Sequence, residues 1–278
     1  MPAVEWAQRG WCKIEPHSRT PADVKKTTDR HQAILELVRT RDANVEALCA
    51  ALGVSEATIR RDLTALAKQK RLVRTYGGAT ARVGVHEPEA SLEERKSAQR
   101  EQKELIAQAA ALHVHDGDTV LLDGGTTCAQ LAWHLSTRED LHVVTNNLLA
   151  VTALANAPGV RLTLIGGELR GSSMSTLGPL AELILSRLTV DRAFLGADGV
   201  VAGFGLCEAS AQQAYLKECI VSRAAEIIVL ADSDKLGRAR QQHWTPLQRD
   251  WRLITSALAD EALLAPFRAL DEVIVELA

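Results

Sequence analysis

Two sets of residues in this chain could do chemistry, and they ask for different partners. In "VSEATIRRDL" (54–63), Arg60 and Arg61 stand side by side between Thr58 and Thr64. Guanidinium forks bond bidentately to guanine edges or clamp phosphate, so an adjacent pair can divide reading from anchoring. Further on, "DGGTTCAQL" (123–131) follows a β-like run. Asp123 closes the strand, Gly124 and Gly125 let backbone come close to a ligand, and Thr126 and Thr127 offer hydroxyls and amides at a helix start. Exposed N–H groups at the positive end of a helix cradle anions. The stretch is neither G-x-G-x-x-G nor G-x-x-x-x-G-K-[ST], so a dinucleotide or nucleoside-triphosphate loop is not supported.

Three more polar clusters follow β-like runs: "TNN" (Thr145, Asn146, Asn147), "IGG" (Gly166, Gly167) and "LADSDK" with Asp232 and Lys235. Lys217, on the helix before the last of these, adds a second cation. Each alone is an Asn cap, a Gly turn or a surface lysine. Together they describe a pocket for a small polyhydroxylated anion, most simply a sugar phosphate, because open α/β sheets bind ligands beyond the carboxyl ends of their strands. His113 and His115 alternate with no carboxylate or cysteine at ligand spacing, so no metal is expected, and no cofactor either. Trp133, Trp244 and Trp251 read as packing.

The arginine pair needs a helix to present it. Ser55 is placed to cap that helix, Glu56 complements its dipole, and Ile59, Leu63 and Leu66 recur on one apolar face. Arg60, Arg61, Thr64 and Lys68 then fall on the opposite face beside small Ala57. An ordinary solvated basic face is the plain alternative. Two helices precede it, one starting at Asp29 with Ile34, Leu35, Leu37 and Val38, the other capped by Asn44 over "VEALCAAL" and ended by Gly53. "RLVRTYGGATARV" (71–83) follows as two β-like runs joined at Gly77-Gly78. Three helices and a hairpin predict a winged helix-turn-helix, the arrangement of a DNA reader.

Residues 84–93 read as a polar linker, and 94–112 as one charged helix. Beyond it, apolar runs at 119–123, 142–145, 162–165, 193–197, 227–232, 252–256 and 273–277 alternate with helices at 128–136, 147–156, 178–187 and 208–225. Such alternation predicts an α/β domain with a Rossmann-like, mostly parallel sheet covered on both faces. The division read from this is a tail at 1–27, a winged domain at 28–83, the linker, and a ligand-binding domain at 94–278.

Charge distribution supports a divided chain. Net charge is −3 over 278 residues, yet Arg30 to Arg82 carries ten Lys/Arg against five Asp/Glu, leaving −8 on the remainder. A basic module on an acidic body points to a polyanion partner for the module alone. The five cysteines show no C-x-x-C spacing, so neither a disulfide framework nor a zinc ribbon is indicated, and a reducing cytoplasm fits best. No signal peptide and no membrane-spanning run is read, so no membrane partner is expected.

The sequence resembles the DeoR family of bacterial repressors over nearly all of 28–278. "VSEATIRRDL" and "RLVRTYGGA" carry the most specific match, with Tyr76 replacing the histidine of the family's HGGA. "SLEERKSAQREQKELIA", "DGGTTCAQLA", "VVTNNL", "LIGGELR", "GPLAE", "VDRAFLGADGV" and "LADSDKLG" support it. "ITS" departs from the family's ITD at Ser256. The resemblance implies a double-stranded DNA operator as partner, a phosphorylated sugar or related metabolite as effector, and helix 55–69 as the recognition helix. Its contacts are expected from Ser55, Thr58, Arg60, Arg61 and Thr64, with Arg74 and the wing tip Tyr76, Gly77 and Gly78 on backbone or minor groove. A homo-oligomer, dimer or tetramer, suits two-fold sites.

The family's effector domain is similar to ribose-5-phosphate isomerase, which brings in a rival reading as an enzyme. "LGADGV" resembles the isomerase's DGAD stretch, keeping Asp198 but placing Leu195 where the first aspartate would be. "YLKECI" resembles its REK stretch, with Lys217 matching the lysine and Leu216 replacing the catalytic glutamate. Moving a proton between adjacent carbons needs a base, and leucine is none, so a sensor without turnover is expected. A DNA-binding scaffold with no ligand is the third reading.

Overall fold

The computed structural model describes residues 29–35, 37–38, 43–68, 72–75, 78–81 and 89–278. The tail at 1–27, Tyr76, Gly77, the side chain of Arg74 and the first half of the 84–93 linker, 84–88, lie outside the described residues.

Helix α1 (29–35 and 37–38) is followed by β1 (Ala43–Asn44), α2 (Val45–Leu52), α3 (Glu56–Lys68), β2 (Leu72–Thr75) and β3 (Gly78–Ala81). Ile34, Leu48, Ile59, Leu63 and Leu66 are fully buried in one cluster, which is the apolar period of the three helices closing on itself. Gly53 ends α2 at φ +64°, its N–H bonded to the Cys49 carbonyl at 2.9 Å. That left-handed cap turns the chain sharply into α3. β2 and β3 pair antiparallel with Thr75 opposite Gly78, and Arg74 opposite Ala79. The wing has one strand more than the sequence suggests, because β1 adds to β3.

The second half begins with α4 (Leu92–Ser97) and α5 (Arg100–Ala111). The single helix expected over 94–112 is therefore two, broken where Gln99 takes φ +52°. The break costs little in hydrogen bonding. The Lys103 ammonium donates to the carbonyls of Arg95 at 2.6 Å and Ala98 at 2.5 Å, which α4 leaves open at its end. Ser91 caps α4 in a reciprocal box with Glu94.

Then come β4 (Thr119–Leu122), α6 (Thr126–Leu135), β5 (Leu141–Thr145), α7 (Leu148–Leu154) and β6 (Val160–Leu164). A hairpin of β7 (Glu168–Arg170) and β8 (Ser175–Leu177) leads to α8 (Pro179–Leu185) and β9 (Val190–Leu195). β10 (Gly199–Val201), β11 (Gly205–Glu208), α9 (Ala211–Val221) and β12 (Ala224–Leu230) follow. β13 (His243–Thr245), β14 (Trp251–Thr255), α10 (Glu261–Arg268) and β15 (Val273–Leu277) complete the chain.

Seven strands form one sheet in the order β15-β14-β12-β9-β4-β5-β6, all neighbours parallel. Successive residues serve opposite faces. Leu121, Ala193, Val229 and Leu253 join one core cluster, while Val120, Leu122, Phe194, Ile228 and Ile254 join the other. Both faces are buried, which is why these strands read as continuous apolar runs. The order reverses between β4 and β9, since the chain runs outward through β5 and β6 and then returns beside β4. A crevice opens at such a switch point, beyond the strands' carboxyl ends.

The short strands β7, β8, β10, β11 and β13 were not expected, and they correct one boundary. Residues 208–210 do not begin the helix read at 208–225: Glu208 closes β11 opposite His243, and Ser210 caps α9. Among the described residues no helix is long and apolar enough to cross a membrane.

Candidate functional site

The exposed face of α3 comes first. Its buried side is Ile59, Leu63 and Leu66, so Arg60, Arg61 and Thr64 point outward, as the spacing requires. Ser55 Oγ accepts from the Thr58 amide at 3.4 Å and lies 3.0 Å from the Thr58 hydroxyl. The two arginines are not equivalent. Arg60 Nε and Nη2 both donate to Glu56 Oε1, at 2.7 and 2.5 Å, whereas the Arg61 side chain makes no hydrogen bond among the described residues. An exposed i,i+4 pair is worth a few tenths of a kcal/mol, so it orients Arg60 without tying it down.

The next residue, Asp62, faces inward. It receives Arg30 Nε at 2.5 Å and Arg30 Nη2 at 3.2 Å, with His31 Nε2 at 3.1 Å, which fastens α1 to α3. Burial would raise its pKa, but the bonds to Arg30 and His31 outweigh that and hold the carboxyl below its ordinary range. This clamp was missed because Asp62 reads as one more charge in a charged run. Metal-ligating clusters are absent among the described residues.

The second site lies at the switch point. β4 ends at Leu122, and the amide of the next residue, Asp123, still bonds the Phe194 carbonyl of β9 at 3.0 Å, which fixes the start of the turn that follows. Gly125 caps α6 at φ +141° and ψ +162°, a conformation that belongs to glycine, and a Cβ there would meet open space. The cavity is lined by this turn with Thr126 and Thr127, by Asn146 after β5, Asp198 after β9, Lys217 on α9, and Asp232 and Lys235 after β12. The structure thus brings together nine of the thirteen residues expected there.

Thr145, Asn147, Gly166 and Gly167 do not line it. Thr145 donates to the Leu122 carbonyl at 2.6 Å, and Asn147 Nδ2 donates to the carbonyls of Asp123 and Gly125 at 3.1 and 2.9 Å. They hold the cradle from behind. Gly167 lies so close to the Leu177 carbonyl that a Cβ would sit 2.3 Å from it, which explains the glycine by packing against β8.

Three of the charged groups lining the cavity form a buried cluster. Lys217 Nζ bonds Asp123 Oδ2 and lies 3.2 Å from Glu208 Oε1, and all three side chains are less than 5% exposed. Burial disfavours the ammonium, but Asp123 and then Glu208 outweigh it, and Lys217 stays protonated well above its ordinary value. One cation cannot neutralise two carboxylates. Burial first, then Asp198 and Asp123, push the Glu208 carboxyl up to about 8 against the pull of Lys217. Burial likewise raises Asp232, and burial lowers Lys103, 3.9 Å away.

Several polar atoms in this wall have no partner. Asn146 Oδ1, Asp232 Oδ1 and Arg95 Nε are buried and unbonded among the described residues. Buried polar atoms are seldom left so unless something else satisfies them. The two oxygens can accept from hydroxyls, while Arg95, Lys235 and the α6 N-terminus favour an anion. Arg95, Lys103, Ser173, Ser175, Glu208 and Gln213 line the cavity without having been singled out. Arg95 and Lys103 sit in a stretch rich in charge, and Glu208 in a short strand of mixed character, so no spacing marked them.

Leu216 contributes hydrocarbon to the cavity wall, whereas Leu195 is fully buried and does not line it. The isomerase resemblance places carboxylates at both. The cavity nevertheless contains the carboxyls of Asp123, Asp198, Glu208 and Asp232.

Comparison with known proteins bears on both sites. Residues 30–82 match the model of a DeoR-like helix-turn-helix domain, and 98–257 that of a DeoR C-terminal sensor domain. An uncharacterised HTH-type transcriptional regulator of Bacillus subtilis, YulB, is 36% identical over 84% of this chain and 90% of its own length. The glycerol-3-phosphate regulon repressor of Escherichia coli is 33% identical over 77% of this chain and 84% of its own. Among solved structures, ribose 5-phosphate isomerase A of Methanocaldococcus jannaschii superposes on 50% of this chain and 55% of its own, at 21% identity and a TM-score of 0.38.

Proposed function

The chain belongs to the DeoR family, and from that premise we propose that it is a metabolite-controlled transcriptional repressor whose switch-point cavity binds a phosphorylated sugar or polyol. Residues 28–83 read double-stranded DNA through α3 and the wing, 84–93 link, 94–278 sense, and 1–27 form a tail. The pairing within one cavity of an anion-favouring end with buried, unpartnered oxygens carries this reading. The α6 turn, Lys235 and Arg95 suit a phosphate; Asn146 and Asp232 suit hydroxyls. The relative named for a glycerol-3-phosphate regulon fits a ligand of that class. A homo-oligomer in the cytoplasm, matched to two-fold operators, completes the proposal.

The ligand is held without turnover. Leu216 offers no base, and Asp123 and Glu208 are engaged with Lys217. One observation favours the rival isomerase reading: Glu208, with its carboxyl near 8, has the proton affinity of a general acid. Two measurements divide the cases. Thermal denaturation across a panel of sugar phosphates and their unphosphorylated counterparts should show a rise with phosphorylated members alone. NMR of the stabilising member with stoichiometric protein should show it unchanged; steady appearance of an aldose or ketose isomer would make the protein an enzyme. No thermal response to any member would leave a ligand-independent DNA-binding scaffold.

A further inference from the structure

Arg95 has a position that neither the cradle nor the lysine cluster explains. It belongs to α4, the first helix after the segment leading out of the DNA-reading module, and yet it lines the sensor cavity. Its guanidinium is mostly buried and only partly used. Nη2 donates to the Ser172 carbonyl and stands 3.4 Å from Glu89 Oε1, while Nε is buried with no partner among the described residues. An arginine has five N–H donors in a fixed plane and loses stability when they are buried without acceptors.

Glu89 is the other half of the arrangement. Arg170 grips it with two parallel bonds, Nη1 to Oε1 at 3.0 Å and Nη2 to Oε2, and the Ser172 hydroxyl donates to Oε2 at 3.3 Å. Seven residues lie between Ala81, where the wing strand β3 ends, and Glu89. The chain leaving the module is therefore pinned to the β7–β8 hairpin at Glu89, with Arg95 as its weakest holder. The far end of the same stretch is fixed independently: Gln102 accepts from the Ser233 amide and hydroxyl at 3.1 and 3.0 Å, and Gln99 donates to Asp234 at 2.7 Å. A movement of Arg95 is thus confined to the segment between Glu89 and Gln99.

We propose that Arg95 is the residue through which a bound anion acts on the DNA-reading module: the ligand's anionic group takes the free face of the guanidinium in competition with Glu89, and so changes the hold on segment 89–97. This rests on the reading of the cavity as an anionic-ligand site. It adds a ligand contact outside the cradle, and it predicts opposite consequences for two partners in one ion pair. Removing Arg95 removes a binding group; removing the charge of Glu89 removes its competitor.

The full-length chain is titrated with glycerol 3-phosphate and glucose 6-phosphate, with inorganic phosphate as the bare anion, by calorimetry. Arg95→Gln should weaken the best of these by about tenfold or more, the range for a charge-assisted bidentate contact, and Glu89→Gln should tighten it by roughly threefold or more. Hydrogen exchange across 89–97 should change on adding that probe to wild type and not to Arg95→Gln. Arg95→Lys, which keeps charge but loses the planar fork, serves if Arg95→Gln does not fold, and should lie between. Weakening by both Arg95→Gln and Glu89→Gln would make the pair structural and overturn the proposal, as would unchanged affinity in both. If folded wild type binds none of the probes, the cavity reading fails first and this one with it.

Discussion

Glu208→Gln isolates the charge imbalance at the cavity floor. In the folded chain the Glu208 carboxyl is held near 8, against an ordinary value of 4.5. Between those two values the folded state binds more protons than the unfolded state, so stability falls as pH rises. The slope is at most about 1.4 kcal/mol per pH unit for one group. Glutamine keeps the shape and cannot ionise, so the variant lacks this slope. Lys217 does not reverse the sign, because its own raised pKa gives a contribution that is complete below about 10.4 and lost only above it. From about pH 5.5 to 7.5 the variant should therefore gain on wild type by up to roughly 3 kcal/mol. For a domain of this size that is several degrees, at about 2 to 4 °C per kcal/mol. Calorimetric melts of both proteins at matched ionic strength give the difference in melting temperature at each pH. A difference that does not move with pH would mean that Glu208 ionises as a surface carboxylate does. A difference moving the other way would mean that Lys217 stabilises the charged form of Glu208 more than burial and the neighbouring carboxylates disfavour it.

Asp62→Asn, which weakens the α1–α3 clamp, should destabilise the N-terminal module by on the order of 1 to 3 kcal/mol at neutral pH. The Asp62 carboxyl is depressed, so its contribution is present above the ordinary carboxylate range and lost as pH falls through its folded value. The deficit in melts should accordingly shrink in acid. Arg61→Ala should weaken binding to an in vitro enriched duplex by about 1 to 3 kcal/mol, roughly 5- to 150-fold, with folding and ligand binding intact. Filter binding or anisotropy equal to wild type would remove α3 from the recognition role. Gly125→Ala should cost about 1 to 3 kcal/mol of strain and place a methyl in the cradle, so ligand titration should weaken more than thermal stability falls.

The two-part architecture was legible in the sequence where periodicity carries it. The face of α3 follows from Ile59, Leu63 and Leu66, and the five inner strands from apolar runs buried on both sides, while the edge strands β6 and β15 leave Leu164, Ile274 and Leu277 exposed. The Gly124-Gly125 turn reads equally as an ordinary tight turn or as a ligand cradle in the sequence, and the structure adds that the turn lines a cavity. What escaped has a common cause: its meaning is tertiary. Asp62 turns inward beside two arginines that turn outward, and α1 gives it its partners among the described residues. Glu208 ends a four-residue strand whose neighbours are β10 and β13, and nothing in "GLCEAS" announces a buried carboxyl. Arg95 and Lys103 reach the cavity because α4 breaks from α5 at Gln99, a left-handed residue in a stretch that otherwise reads as continuous helix. Thr145 and Asn147 lie beside the cavity, as expected, but brace the cradle from behind and do not line it.

If one chain joins a DNA reader to an anion sensor, its two affinities must be linked. The enriched duplex is titrated with the full-length protein, without ligand and then at saturation with the sugar phosphate giving the largest thermal shift; the ligand is titrated likewise, without and with duplex. DNA affinity should change by about 5- to 150-fold, the range of a coupling of 1 to 3 kcal/mol, and ligand affinity by the same factor. Identical DNA affinity with and without saturating ligand would contradict it.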